Sequence, residues 1–159
     1  MSYPEVRYRG ETGEVSAVLR RADARPDLQM GTAASVGYLA TGASTSGQFG
    51  LYRWDMSAEA SGAKTHFHRT ISESFFVLSG TVRLFDGDRW ADGKAGDFLF
   101  VPEGGLHAFR NDSGAPASML ILFAPGAPRE GYFEGLAGLA GLNEDERAAF
   151  FVQHDTYWV

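Results

Sequence analysis

The amino-acid sequence predicts a mostly β protein, an antiparallel sandwich or barrel, with a short helical segment near its C-terminal end. From Phe49 onward, short apolar runs alternate with turns that contain glycine or proline, as they do in antiparallel β proteins. The chain holds 20 glycines, which exceeds the usual share and indicates many turns. After Pro125, apolar residues recur at intervals of three and four, which is the spacing of a helix.

The length of 159 residues suits one domain with its own core. We expect an N-terminal arm over residues 1–30, where charges and two prolines argue against long elements and leave room only for short strands. The β-barrel core is expected over about 49–124 and the C-terminal helices over about 126–155. Together these segments form a single domain, 1–159.

The strands can be predicted one by one. A first strand is expected over residues 36–41, before a loop rich in glycine, serine and threonine. Seven apolar runs then predict the strands of the barrel: FGLYRWDM, THFH, SFFVLSG, TVRLFDGDRW, DFLFVP, HAFRN and MLILFAPG. The Asp86-Gly87 pair inside the fourth run predicts a hairpin turn.

Two helices are predicted after the barrel. The stretch 131–141 is rich in glycine, so its helix is expected to be weak. Asn143 and Glu146 have the spacing of a capping box, which predicts a last helix over about 144–153. The final residues, HDTYWV, have no clear assignment.

Charge and composition narrow the classes of partner. The formal net charge is −6 and the basic residues form no cluster, so we expect no nucleic-acid partner. The charged N-terminus does not resemble a signal peptide and no segment approaches roughly 18 apolar residues, so we expect a soluble, cytoplasmic protein without a membrane partner. The absence of cysteine excludes disulfides, thiolate metal ligands and cysteine nucleophiles, and it agrees with a reducing compartment. Any metal must bind through nitrogen and oxygen.

The stretch THFHRTISE brings two histidines close together. On a strand, His66 and His68 project to the same face with their Cα atoms roughly 7 Å apart, so their imidazoles converge on one point. Glu73 follows five residues after His68. A third histidine, His107, comes just after a Pro-x-Gly turn in GDFLFVPEGGLHAFRN.

These two stretches resemble the motifs of the cupin superfamily, written G-x5-H-x-H-x3,4-E-x6-G and G-x5-P-x-G-x2-H-x3-N. The matching residues are His66-x-His68-x4-Glu73-x6-Gly80 for the core of the first motif and Gly96-x5-Pro102-x-Gly104-x2-His107-x3-Asn111 for the whole of the second. One departure is that only three residues separate Gly62 from His66, which affects the approach loop and not the histidines. Among small cupins, the chain most resembles the quercetinase-like ones.

The resemblance implies a double-stranded β-helix, the jelly-roll barrel of cupins, with one divalent metal ion at its centre. The implied metal ligands are His66, His68, Glu73 and His107. Three imidazoles and one carboxylate suit Fe, Mn, Ni, Co, Cu or Zn, and suit Ca or Mg poorly. Which of these metals binds stays open.

Glu73 has two possible roles in a quercetinase-like cupin. The resemblance implies that the corresponding glutamate either binds the metal or turns away and accepts a proton from the substrate. A carboxylate beside a divalent ion in a walled pocket is a reasonable general base for an acidic phenol or enol. We therefore predict Glu73 as both a candidate ligand and the candidate catalytic residue.

Strand alternation predicts the walls of the pocket, because residues two apart share a face. Phe75 and Val77 share the face of Glu73, and Phe109 shares that of His107. The candidate substrate-binding residues are Tyr52, Trp54, Phe75, Val77, Phe109, Met119 and Ile121, and Phe98, Phe100 and Phe123 are also expected to face inward. Such an aromatic wall favours a flat, apolar organic ligand.

The leading hypothesis is a mononuclear metal-dependent dioxygenase that acts on a planar aromatic or enolic small molecule. The alternatives are a metal-dependent isomerase or polyketide cyclase that does not use dioxygen, and a cupin that binds a ligand without catalysis. His154 and Asp155 are adjacent and point apart, so we do not expect a catalytic dyad there. The outward apolar residues Phe76 and Leu78 need a cover, which predicts a homodimer.

Overall fold

The computed structural model describes residues 1–159 and contains eleven β-strands, two α-helices and one 3-10 helix. The strands are β1 Leu28–Met30, β2 Ala34–Ala40, β3 Gly50–Met56, β4 Ser61–Phe67, β5 Ser72–Ser79, β6 Thr81–Phe85, β7 Trp90–Lys94, β8 Phe98–Val101, β9 His107–Asn111, β10 Ala117–Ala124 and β11 Tyr157–Trp158. The helices are α1 Arg129–Gly135, the 3-10 helix Leu136–Gly141 and α2 Glu144–Gln153. All seven apolar runs of the sequence therefore form strands.

The strands form two antiparallel sheets. The first has six strands in the order β1-β2-β3-β10-β5-β8, and the second has five in the order β11-β4-β9-β6-β7. One hydrophobic core lies between them, with Tyr52 and Phe75 from the first sheet and Val82 and Leu84 from the second. The predicted fold class is confirmed: the architecture is a double-stranded β-helix with a short helical segment after it.

Tight turns connect the strands of the barrel. Gly80 joins β5 to β6 with a φ of +71°, where an L side chain is strained, and a Cβ there would collide with the carbonyl oxygen of Pro116. The β6–β7 hairpin turns at the predicted place, because the carboxylate of Asp86 accepts hydrogen bonds from the backbone N–H groups of Asp88 and Arg89. These turns set the register that brings the site residues together.

The N-terminal arm, where short strands were expected, contains one of them. Residues 1–27 contain no helix or strand, and only β1, on the edge of the first sheet, falls within the predicted arm. The arm is exposed along nearly its whole length. Its apolar residues are too widely spaced among charges to form a buried face.

Phe98 and Phe100 face outward, which corrects the expectation that they line the pocket. Their exposed fractions are 63% and 56%. Strand β8 pairs with β5 so that Val101 lies opposite Glu73, and residues opposite each other share a face. Val101 therefore points inward, and the two phenylalanines lie on the outer face of the sheet.

The C-terminal segment folds back onto the barrel. The capping box of α2 is present as predicted, with Asn143 and Glu146 bonded to each other's backbone N–H groups, while the weak helix predicted at 131–141 divides into the end of α1 and the 3-10 helix. The hydroxyl of Tyr52 donates a 2.5 Å hydrogen bond to Glu130, which ties α1 to β3. Neither helix is long and apolar enough to cross a membrane.

Candidate metal centre

The structure brings together the four residues that the two motifs single out. His66 lies on β4, His68 follows directly after that strand, Glu73 lies on β5 and His107 begins β9. All four side chains are buried, with exposed fractions of 5% or less. One potential ligand atom from each lies within 4.8 Å of the others, so the group could hold a metal ion.

Each imidazole is oriented by a backbone carbonyl. The Nδ1 atom of His66 lies 2.8 Å from the carbonyl oxygen of Lys64, and that of His107 lies 2.9 Å from the carbonyl oxygen of Gly105. The Nδ1 atom of His68 makes the same kind of contact with the carbonyl oxygen of Asp155. A carbonyl oxygen only accepts, so all three Nδ1 atoms carry a proton, and Nε2 is the atom of each ring that can bind a cation.

The carboxylate of Glu73 completes the donor set. Its Oε2 atom lies 2.8 Å from Nε2 of His107, 3.0 Å from Nε2 of His68 and 4.0 Å from Nε2 of His66. An oxygen and a nitrogen that both offer lone pairs repel each other at such distances unless a cation lies between them. Either a proton or a metal ion supplies that charge, and only a metal ion can be shared by all four residues, so these donors fit a divalent transition metal.

The electrostatics of the centre follow from burial and from the Glu73–histidine contacts. Burial would raise the pKa of Glu73, but hydrogen bonds from His107 and His68 outweigh it and hold the pKa far below its usual range. Burial would lower the pKa of His107, yet its hydrogen bond to Glu73 raises the value above the ordinary one. Burial lowers the pKa of His66 to about 4, so this imidazole is neutral near pH 7.

The C-terminal residues support the centre, which the sequence did not reveal. Asp155 orients His68 through its backbone carbonyl, and its carboxylate accepts hydrogen bonds from the backbone N–H groups of Arg69 and Thr70. Strand β11 pairs with β4, so that Trp158 lies opposite His66 with the two ring centroids 5.0 Å apart. A tail without any recognisable motif therefore fixes the loop between two candidate ligands.

A cavity of about 700 Å³ reaches the centre. His66 and Glu73 form part of its wall, and the candidate substrate-binding residues Trp54, Phe109 and Ile121 line it as well. Other lining residues, which the sequence did not single out, include Met30, Ser61, Phe123, Arg129, Tyr132, Phe133, Phe151 and Trp158. Several of these come from the C-terminal segment, so the helices close a space that the barrel leaves open.

The other predicted pocket residues lie in the core and not in the cavity wall. These are Tyr52, Phe75, Val77 and Met119, and each is fully buried. Arg53 points away from the core and pairs with Asp55 at 3.0 Å. His154 packs against Phe150, with ring centroids 4.6 Å apart, and takes no part in the cluster.

Metal binding should weaken as the pH falls, because protons compete with a cation for the imidazoles. Because the pKa of His107 is raised, this imidazole keeps its proton to a higher pH than a free imidazole does, and a metal ion must displace that proton; His66 is neutral above about pH 4. Below the pKa of His107, we expect the apparent affinity to fall at least about tenfold per pH unit. Competition against a chromophoric chelator across the range from about pH 5 to 8 measures this slope, and an affinity that does not change with pH would contradict the prediction.

Comparison with known proteins agrees with this geometry. A family model for the cupin domain matches residues 52–123, while no curated protein sequence matches the chain. A predicted oxalate decarboxylase from Thermotoga maritima has a similar structure, with a TM-score of 0.61 at 18% identity over 69% of this chain and 99% of that one. The polyketide cyclase RemF from Streptomyces resistomycificus has a TM-score of 0.58 at 21% identity, over 72% of this chain and 82% of that one. Ectoine synthase from P. lautus has a TM-score of 0.58 at 14% identity, over 74% of this chain and 85% of that one.

These solved structures share the fold but differ in the activities that their names state. At such low identities they show the architecture alone, and this architecture hosts several kinds of chemistry. The region that matches the family model runs from β3 to β10 and contains His66, His68, Glu73 and His107. Residues 52–123 of this chain therefore match the family model of the cupin domain, and the solved structures show the same fold.

Proposed function

We propose that the protein is a mononuclear metal-dependent dioxygenase, similar to quercetinase-like cupins, that acts on a planar aromatic or enolic small molecule. One observation carries the proposal: three imidazoles and one carboxylate, all buried, converge at the wall of a largely apolar cavity. Such a donor set favours a redox-capable first-row metal, and such a cavity favours a flat organic ligand. The class of substrate, the use of a first-row metal and a cytoplasmic location are all parts of this proposal.

The four residues would hold the metal ion, which when bound supplies Lewis acidity and a route for electrons between an organic substrate and dioxygen. The protein contributes orientation. Three backbone carbonyls hold the imidazoles in the tautomer that offers Nε2. Burial of the cluster excludes bulk water and therefore strengthens every electrostatic interaction within it.

Glu73 would accept the proton of the bound phenol or enol. Its carboxylate lies in the cavity wall, where a ligand can reach it, and it is buried, which by itself raises its pKa and favours proton uptake. The hydrogen bonds from His68 and His107 outweigh this effect of burial and keep the carboxylate ionised, which is the form that can accept a proton. Loss of the proton makes the substrate electron-rich, which is the state that reacts with dioxygen.

The aromatic wall selects the shape of the substrate. Trp54 meets Phe133 and Phe109 edge to face, with centroids 5.1 Å and 6.0 Å apart, and so presents a rigid surface. A flat ligand can make the most extensive contact with such a rigid aromatic wall. Flavonols and polyketide phenols have this shape and carry the acidic hydroxyl that Glu73 would deprotonate.

The same residues would also serve an isomerase or cyclase that needs only Lewis acidity, or a protein that binds its ligand without reaction. Protein loaded with one defined metal, incubated with flavonols and polyketide phenols with and without dioxygen, separates the three. A dioxygenase consumes oxygen and places both atoms of labelled dioxygen in its product. Turnover that persists without oxygen would support the cyclase or isomerase, and binding without turnover under either condition would support the passive role.

We also propose that the chain forms a homodimer through the outer face of the first sheet. Phe76, Phe98 and Phe100 are exposed there, on β5 and on the edge strand β8, and together form an apolar surface that is unusual for a monomer. Light scattering at micromolar concentration should give twice the mass of the chain. Replacing Phe98 and Phe100 by serine should yield a folded monomer, and a wild-type monomer would contradict the proposal.

A further inference from the structure

Arg129, the first residue of α1, is a cationic side chain buried in the wall of the cavity. Only 4% of the residue is exposed, and its guanidinium forms no ion pair with any carboxylate of the chain. Buried arginines are almost always paired, because removing a charge from water is costly. The missing partner therefore needs an explanation.

Most of the hydrogen-bonding capacity of this guanidinium is unused. Nη1 donates to the carbonyl oxygen of His154 at 2.6 Å, which holds the end of α2 near the cavity. Nε is buried and has no acceptor, and Nη2 makes no hydrogen bond either. These two nitrogens form one edge of the planar guanidinium, and their N–H groups point the same way.

Aromatic rings contact the guanidinium but do not satisfy that edge. The guanidinium carbon lies 4.1 Å from the ring centroid of Tyr132 and 4.9 Å from that of Phe123. Ring faces attract the cation as a whole, whereas N–H groups need an acceptor in the plane of the guanidinium. A carboxylate fits this need, because its two oxygens match the two parallel N–H groups.

The surroundings of Arg129 indicate where such an anion would sit. Ser61 lines the same cavity, and its buried Oγ atom also has no hydrogen-bond partner. Phe123, which contacts Arg129, lies 6.1 Å from the ring of His68, and Arg129 shares the cavity wall with His66 and Glu73. The rest of the wall is mostly apolar, with 14 hydrophobic residues among 20, and its other cationic side chain, Lys64, is exposed. Such a wall suits a single carboxylate better than a highly charged group such as a phosphate.

We propose that Arg129 is the anion-binding residue of the cavity and that the ligand is a planar molecule bearing one carboxylate, which pairs with the Nε and Nη2 edge. The inference rests on the proposed function for the planar part of the ligand, but it holds whether or not that ligand reacts with dioxygen. It narrows the proposed substrate class to aromatic or enolic acids, which carry a negative charge.

The test compares two probes of equal shape, 3-phenylpropenoate and 3-phenylpropenamide, by isothermal titration calorimetry. Wild-type protein should bind the carboxylate at least about tenfold more tightly than the amide, the scale of a charge-assisted hydrogen-bonded pair. The measurement is made on metal-free protein and on protein loaded with Zn, so that binding of the carboxylate to the metal can be separated from binding to Arg129. Equal affinities for the two probes in wild-type protein would overturn the proposal.

Three variants test which cationic side chain produces the preference for the carboxylate probe. In metal-free protein, Arg129→Gln should bind both probes equally, and Arg129→Lys should restore part of the preference. Lys64→Gln removes the exposed cation that also lines the cavity, and it should leave the preference intact. Thermal unfolding of each variant shows whether loss of the contact with His154 has damaged the fold. If Arg129→Gln is damaged, the proposal is judged from Arg129→Lys and from the affinities of wild-type protein for the two probes.

The remaining outcomes point in opposite directions. A preference that survives in metal-free Arg129→Gln, or that disappears in Lys64→Gln, would overturn the assignment. A preference that depends on Arg129 in both metal-free and Zn-loaded protein supports it. That support stands even if no phenol is oxidised, so failure of the dioxygenase proposal and failure of the anion site give different results.

Discussion

Replacing His107 by alanine should reduce metal affinity at least about 100-fold, because it removes a donor in direct contact and not merely one that orients a ligand. His66→Ala should have a similar effect. Protein purified without chelator should carry a first-row divalent ion, whereas the two variants should carry little or none by elemental analysis. The addition of Fe, Mn, Ni, Co or Zn should raise the Tm of wild-type protein and not that of the variants.

His154→Ala is the matched control for this experiment. Its imidazole lies outside the cluster and packs on Phe150, so its removal should leave metal content unchanged. Equal metal loss in His66→Ala, His107→Ala and His154→Ala would mean that the metal site lies elsewhere. Wild-type protein that has no transition metal, and whose Tm does not respond to any of these ions, would rule out the centre altogether.

Glu73→Gln should lower the turnover of an acidic phenol or enol by about 100-fold or more, the usual contribution of a positioned base. The amide has nearly the shape of the carboxylate but cannot accept the proton. Three imidazoles remain, so most of the metal should be retained. Steady-state rates at matched metal content measure the effect.

A second substrate separates proton transfer from coordination. A phenol that is already ionised at the assay pH has no proton to lose, so Glu73→Gln should slow its turnover much less. Loss of metal from the variant would make Glu73 chiefly a ligand. Wild-type rates on both substrates, with metal retained, would show that Glu73 is not the base and would favour a passive binding role.

Local spacing carried much of the information in this sequence. Alternating apolar runs and turn residues predicted the strands of the barrel, because strand periodicity and turn chemistry are properties of short stretches. The two motifs identified the four residues that meet at the centre, although three of them lie on different strands and His68 lies just after one. The capping box at Asn143 predicted the start of α2 for the same reason: it is a contact between residues three apart.

The orientation of β8 could not be read from its own residues. In the sequence Phe98-Leu99-Phe100-Val101 both alternating sets are apolar, so the hydrophobic pattern does not say which set faces the core. Pairing with β5 decides it by placing Val101 opposite Glu73. The physical reason is that a shift of one residue exchanges the two faces of a strand, and only the partner strand fixes that shift.

By itself, then, the sequence determined the fold class and the strands of the barrel through spacing along the chain, and its resemblance to the cupin motifs implied the four candidate metal ligands. Tertiary structure alone decided what surrounds them. Asp155 reaches His68 across 87 positions, and Arg129 enters the cavity wall because α1 folds back over the barrel. Such contacts depend on where distant segments pack, and the packing of apolar surface is not directional enough for a short stretch of sequence to specify its partner.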